Sequence, residues 1–205
     1  MDRPEYLVEM TTHVPEGTPA EKVDDIRAQE AARAGELAKA GHLKRLWRPP
    51  LAPGEWRTFG LFGADDDSQL DELLASMPLH VWRTDAVTPL SPHPNDPVAS
   101  GGHDGVEFLT TLTLTVPDGT AQQTVDDLKA REAIATRELA EQGRLVRLWT
   151  PPNSPGQWRT LGLWSARDAA GLTATLQSLP LYVWMTVDAT PLTLHPNDPV
   201  RGTGS

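Results

Sequence analysis

The chain has 205 residues, a formal net charge of −10 and no cysteine. An acidic chain lacks the basic face that nucleic acid requires, and without thiols there are no disulfides, thiolate nucleophiles or cysteine-ligated metals. No apolar run follows Met1–Glu5 and none approaches membrane-spanning length, so the expectation is a cytoplasmic protein that engages neither nucleic acid nor membrane.

The sequence is written twice. Glu5 to Val98 aligns without a gap on Glu107 to Val200, at a constant offset of 102 residues, with about half the positions identical. Each copy is long enough for one small core. The expected organisation is a domain over 1–98, a glycine-rich linker over 99–106 and a second domain over 107–205.

In chain order, Tyr6 to Thr12 alternates imperfectly and predicts a strand; its counterpart, Phe108 to Val116, is rich in threonine, leucine and valine. Thr18-Pro19-Ala20-Glu21 has the form of a capping box, repeated at Thr120 with glutamine. The helix it opens should run to about Ala40 and stop at Gly41, as its copy stops at Gly143. His42–Trp47 and Trp56–Phe62 predict two strands of a hairpin, with a proline- and glycine-rich loop between them. A shorter helix is expected over Asp66–Ser76 and a fourth strand over Leu79–Thr84. The proline-rich tail from Pro89 to Pro97 is expected to be neither helix nor sheet.

The order β-α-β-β-α-β is the ferredoxin-like split βαβ arrangement, an α+β fold with both helices on one sheet face. Leu46, Trp56 and Trp82, with Leu148, Trp158 and Trp184, would leave the other face apolar. The expectation is that the two domains pack sheet to sheet as a pseudo-twofold α+β barrel.

The first helix carries the most pointed chemistry. Val23, Ile26, Ala34 and Leu37 form one stripe, and Glu30 falls inside it; Glu132 lies in the same way among Val125, Leu128 and Leu139. An inward carboxylate is desolvated, which raises its pKa and makes it a stronger base. Arg27 and Lys129 stand three residues earlier, within reach of that carboxylate or of a bound anion. Two readings are open: a catalytic base, or a structural ion pair between helix and sheet.

Arg45, Trp47 and Arg48 on strand two, with Arg147 and Trp149 in the second copy, and Arg57 and Arg159 on strand three, suggest a cationic, aromatic-walled pocket for a planar or carboxylated ligand. The alternative is a solvated sheet edge with its tryptophans in the core. The His93/Asp96 and His195/Asp198 pairs have no further donors nearby. They point to a tail that packs or hydrogen-bonds across the interface, and no metal is assigned. No phosphate loop and no supported Ser-His-Asp arrangement is present.

At these residues the chain resembles the muconolactone delta-isomerase family. The likeness rests on Arg27-Ala28-Gln29-Glu30 and Lys129-Ala130-Arg131-Glu132, the glycine eleven residues on, Arg45-Leu46-Trp47-Arg48, the Met77-Pro78-Leu79 turn with its copy Leu179-Pro180-Leu181, and the His-Pro tail. It implies a cofactor-free isomerase of the β-ketoadipate pathway that moves a proton along an allylic system, muconolactone to 3-oxoadipate enol-lactone. It also implies a small anionic or lactone substrate and a homo-oligomer of fused chains.

The resemblance makes Glu30 and Glu132 the bases. Lys129 matches a family lysine, which Arg27 replaces conservatively. Arg48 matches a family arginine, whereas its counterpart is Thr150. Arg45 and Arg147 stand at a histidine position; Trp56 and Thr58 replace a tyrosine and an asparagine, as Trp158 and Thr160 do in the second copy. With Trp47 and Trp149 these complete the candidate substrate wall. The departures leave room for a tailoring isomerase or cyclase on a bulkier natural-product substrate, or for a noncatalytic ligand-binding module.

Overall fold

The computed structural model describes residues 3–97 and 105–202. Val98 and most of the expected linker, 99–104, lie outside the described residues. By its contacts the chain divides into two units: one runs to Leu90 and takes in the stretch from Thr193 on, and the other is Ser91–Leu192.

In the first copy the elements are β1 (Glu5–Thr12), α1 (Ala20–Lys39), β2 (Leu43–Arg48), β3 (Arg57–Gly63), α2 (Asp67–Ala75), a 3-10 turn (Pro78–Trp82) and β4 (Arg83–Pro92). The second repeats them as β5 (Val106–Leu114), α3 (Gln122–Glu141), β6 (Leu145–Thr150), β7 (Trp158–Ala166), α4 (Ala169–Gln177), a 3-10 turn (Pro180–Trp184) and β8 (Met185–Leu194). A final 3-10 turn covers Pro199–Gly202. Each copy is thus the expected βαββαβ unit.

Within the first unit, β1 pairs antiparallel with β3 and β4, and β3 pairs with β2. Val8 therefore sits opposite both Gly60 and Val87. Every second residue of β1 is buried, as a sheet with one face under helices requires. Tyr6, Val8 and Met10 join Leu43, Leu46 and Phe62 from the sheet, Ala34 and Leu37 from α1, and Leu70, Leu73 and Leu74 from α2 in one core. Gly60 makes room for it: a Cβ there would lie 2.5 Å from the Phe62 ring and 2.9 Å from the Met10 methyl. The second unit builds the equivalent core from Phe108, Leu112, Leu139, Leu145, Leu148, Trp164, Leu172 and Leu176. Its Trp164 replaces Phe62, and the indole Nε1 donates to Thr110 Oγ1 at 2.9 Å, satisfying the polar atom the larger ring brings inside.

Several expectations need correction. Neither long helix has the capping box. Pro19 and Ala121 are the N-caps, without a side-chain bond. Thr18 and Thr120 instead donate their hydroxyls backward to Pro15 O and Pro117 O, both at 2.6 Å. The stops are as expected, with Gly41 and Gly143 at positive φ (75° and 69°).

The fourth strand begins at Arg83 rather than Leu79, because Pro78 starts a 3-10 turn that carries Trp82. The tail is not free of sheet, since β4 extends to Pro92 and β8 to Leu194. Proline lacks only the amide donor, which strand residues do not all need. Leu46 and Leu148 belong to the helix-covered cores, so they add nothing to the opposite face. Buried outside those cores are Trp47 of β2, with Val146 and Trp149 of β6, 1%, 8% and 2% exposed.

The tails have a defined home. Thr193 and Leu194 pair with Arg48 and Trp47 in the first unit, and Ser91 and Pro92 pair with Thr150 and Trp149 in the second. Each unit is therefore completed by the end of the other copy's last strand and the tail that follows it.

Candidate active site

Each unit contains a cavity beneath its long helix, and the two cavities are built from equivalent positions. In the first, of about 260 Å³, Arg27, Glu30 and Ala34 of α1 meet Met10 and Thr12 of β1, Arg48, Trp56 and Thr58, then Met77, Leu79 and Arg83, with His195 and Asn197 from the tail. In the second, of about 480 Å³, Lys129, Glu132 and Thr136 meet Leu112, Leu114, Thr150, Trp158, Arg159, Thr160 and Trp164, then Leu181 and Met185, with His93 and Asn95.

Helical periodicity puts the carboxylates there. Glu30 is 8% and Glu132 6% exposed, in line with Ala34 and Leu37 or with Thr136 and Leu139. One oxygen of each is held alike by the 3-10 turn: Leu79 N donates to Glu30 Oε2 at 2.8 Å, and Leu181 N to Glu132 Oε2 at 2.9 Å. The proline that opens that turn fixes its first dihedral and so helps aim the amide.

The second oxygen separates the copies. Arg83 Nη1 donates to Glu30 Oε1 at 3.2 Å, from a side chain only 2% exposed that also clasps Asp85 at 2.6 Å and 3.1 Å. The positions of Arg83 and Asp85 are Met185 and Val187 in the second copy. Burial pushes the Glu30 carboxyl above the ordinary carboxylate range, against the pull of the Leu79 amide and of Arg83. Glu132 is likewise raised by burial, and only the Leu181 amide pulls it back.

Cations and aromatic rings line both cavities. Arg27 lies over Trp56 at 5.2 Å and Lys129 over Trp158 at 4.1 Å. Stacking on a ring face holds a long side chain in place while leaving its charge available to an anion. Arg27 also has Asp24 at 3.8 Å. Arg48 adds charge to the first cavity where the second has Thr150; Thr58 and Thr160 occupy equivalent places.

Arg45, Trp47, Arg147 and Trp149 are not among the lining residues. The two arginines stack on the two tryptophans at 4.7 Å and 4.8 Å and pair with the tails. Arg45 Nε reaches Asp198 Oδ2 at 3.2 Å, and Arg147 Nη2 reaches Asp96 Oδ2 at 3.1 Å. Their neighbours' amides complete the anchor: Leu46 N donates to Asp198 at 3.1 Å and Leu148 N to Asp96 at 2.6 Å. Both aspartates are thus bonded to strand β2 or β6. Among the described residues no group of three or more His, Asp or Glu side chains could hold a metal ion.

Sequence reasoning missed Arg83, Met185 and the cavity role of the tail histidines. A signal for the first was available, since Arg83 and Met185 differ directly after a turn that repeats apart from His80 and Tyr182. Arg159 is a further lining cation. Its Nη2 donates to Pro152 O at 3.0 Å, while its buried Nε has no partner.

The fold defines the class first: two βαββαβ repeats forming an α+β protein. Solved structures share it over the whole chain. A mutant chlorite dismutase from Candidatus Nitrospira defluvii superposes with a TM-score of 0.64 at 11% identity, covering 99% of this chain and 96% of that one. A novel heme-binding protein from Thermus thermophilus gives 0.61 at 9% identity, with 99% and 95% covered. At such identities the likeness concerns fold alone.

Sequence supplies the family. The muconolactone delta-isomerase model matches twice, over residues 5–96 and 106–198. The Muconolactone Delta-isomerase of Cupriavidus pinatubonensis is 36% identical over 90 residues, 44% of this chain and 95% of that protein. Muconolactone Delta-isomerase 1 of Acinetobacter lwoffii is 32% identical over 90 residues, covering 44% and 91%. The chain belongs to the muconolactone delta-isomerase family, as two family units in tandem, and it is an isomerase.

Proposed function

We propose that this isomerase shifts the C=C bond of an unsaturated lactone by an allylic proton transfer, with muconolactone as the default substrate and a cavity glutamate as the base. One observation carries the reading: in both copies a buried carboxylate of raised pKa lies on a cavity wall, with a ring-stacked cation one turn earlier on the same helix.

The steps balance without an electron acceptor or a cofactor. The carboxylate takes the γ-proton of the butenolide, the C–H electron pair delocalises onto the carbonyl oxygen as a dienolate, and the same carboxyl returns the proton at the α-carbon. A carboxylate held at one oxygen by a backbone amide keeps its other oxygen for the proton. Glu132 meets that condition, whereas Arg83 occupies the second oxygen of Glu30. The second cavity therefore carries most of the turnover in this reading. Lys129 there, and Arg27 and Arg48 in the first, hold the substrate carboxylate or offset the dienolate charge.

The role in aromatic catabolism, the cytoplasmic setting and an assembly of several fused chains follow from the same family reading. Light scattering tests the assembly. The larger second cavity, with Leu114 and Met185 where the first has Thr12 and Arg83, favours a second reading in which the substrate is a bulkier unsaturated acid. Turnover of muconolactone followed by ultraviolet absorbance in deuterated water decides between them. Conversion of the lactone supports the first, whether the α-carbon carries the substrate's own hydrogen or deuterium exchanged at the carboxyl. An inert lactone beside deuterium uptake into a larger unsaturated acid supports the second.

A further inference from the structure

We propose that His93 and His195 are neutral hydrogen-bond donors to the reacting lactone, each presenting Nε2–H to the oxygen that gains charge in its cavity. The assignment rests on the proton-shift reading above and adds a residue to it.

The tautomer follows from the tail's own hydrogen bonds. Asn95 N donates to His93 Nδ1 and Asn197 N donates to His195 Nδ1, both at 3.1 Å. A ring nitrogen that accepts from an amide carries no proton, so the single proton of a neutral imidazole sits on Nε2. Protonating Nδ1 would set N–H against N–H. Both rings line their cavities, and neither Nε2 has a hydrogen-bond partner among the described residues.

The surroundings keep the rings neutral. Burial, and then the nearby cations Arg48, Arg201 and Arg27, push His195 down to about 4; burial lowers His93 as well, although Asp96 opposes it. A neutral imidazole donates to a developing oxyanion without surrendering its proton, so the proton stays with the glutamate.

The mount is built on the same plan in both units. Asp96 N donates to His93 O and Asp198 N to His195 O, both at 2.9 Å. The same aspartates are pinned to Leu148 N and Arg147, or to Leu46 N and Arg45. A hydroxyl or thioether in the lining could not reproduce a donor fixed in this way. Arg45 and Arg147 thereby act on the site as positioning residues, through the tails.

The test uses the full chain. Nitrogen-15 NMR of histidine-labelled protein should show Nε2 protonated and Nδ1 bare on His93 and His195 at neutral pH, with the Nε2–H signal moving when muconolactone is added. His93→Leu should lower kcat on muconolactone about tenfold to a hundredfold with KM changed less, and His93→Gln, whose amide can donate from a similar place, should recover part of it. A protonated Nδ1, or His93→Leu and His195→Leu at the parent rate, overturns the assignment, and the NMR result stands even if a leucine variant misfolds. The Glu30→Gln, Glu132→Gln double variant is run beside them. If it still isomerises, the proton-shift reading fails; if it is dead while both leucine variants run normally, only the histidine role fails.

Discussion

The two cavities share a plan and differ in who holds the glutamate. In the first, Glu30 is gripped by a buried Arg83 that is itself gripped by Asp85; in the second, Met185 and Val187 stand in those places and Glu132 answers only to an amide. The first thus realises an ion pair between helix and sheet, while the second leaves a carboxylate oxygen to the cavity. Duplication preserves the scaffold that places a side chain, and two substitutions on one strand are enough to change what that side chain can do.

The largest expected effect is on turnover. Glu132→Gln should lower kcat on muconolactone by about a thousandfold at that site, the usual order for losing a general base, while Glu30→Gln should cost the whole chain less than about tenfold. Steady-state kinetics of the two single variants measures this directly, and equal losses would break the comparison.

Next come the tail anchors. Asp198→Ala leaves the Arg45 guanidinium and the Leu46 amide without their buried acceptor, and should cost about 3 kcal/mol in urea unfolding. Asp96→Ala should cost less, because that carboxylate is 16% exposed against 0% for Asp198.

Transplanting the clamp should move the activity. Met185→Arg with Val187→Asp should lower kcat about tenfold by occupying the second oxygen of Glu132, and Arg83→Met with Asp85→Val should raise the contribution of the first cavity. Single-site rates in a Glu30→Gln or Glu132→Gln background read each effect.

The smallest effect concerns stability against pH. Burial raises the folded pKa of Glu132 above its unfolded value, so its contribution is fully present below the unfolded pKa and is lost as pH rises through the folded one. Glu132→Gln removes that loss. Its melting temperature should exceed the parent's at pH 8, with the gap closing as the pH falls toward the ordinary carboxylate range. Glu30→Gln should show no such gain, since it weakens the partner of a buried arginine. Melts of both variants across this range compare the two sites.

Much of this architecture was legible beforehand. Alternation in β1, the glycine stops after both long helices and the prolines around the hairpins fixed the βαββαβ order, because strands and helices answer to local periodicity and dihedral limits. Glu30 and Glu132 could be placed on the inner face by angle alone. The capping boxes failed because a threonine hydroxyl had a nearer carbonyl behind it. Trp47 and Arg45 were expected on a pocket wall, but β2 turns them toward the tail, and a residue's face says nothing of what covers it.

By itself, then, the sequence determined the duplication, the element order and the inward glutamates, all of which are encoded within a few turns of chain. Only the tertiary structure decided that Arg83, 53 residues from Glu30, closes on it, and that Asp198, 153 residues from Arg45, brings a histidine into the first cavity. Such contacts depend on which strands pair and where a tail docks, and no local pattern of residues carries that information.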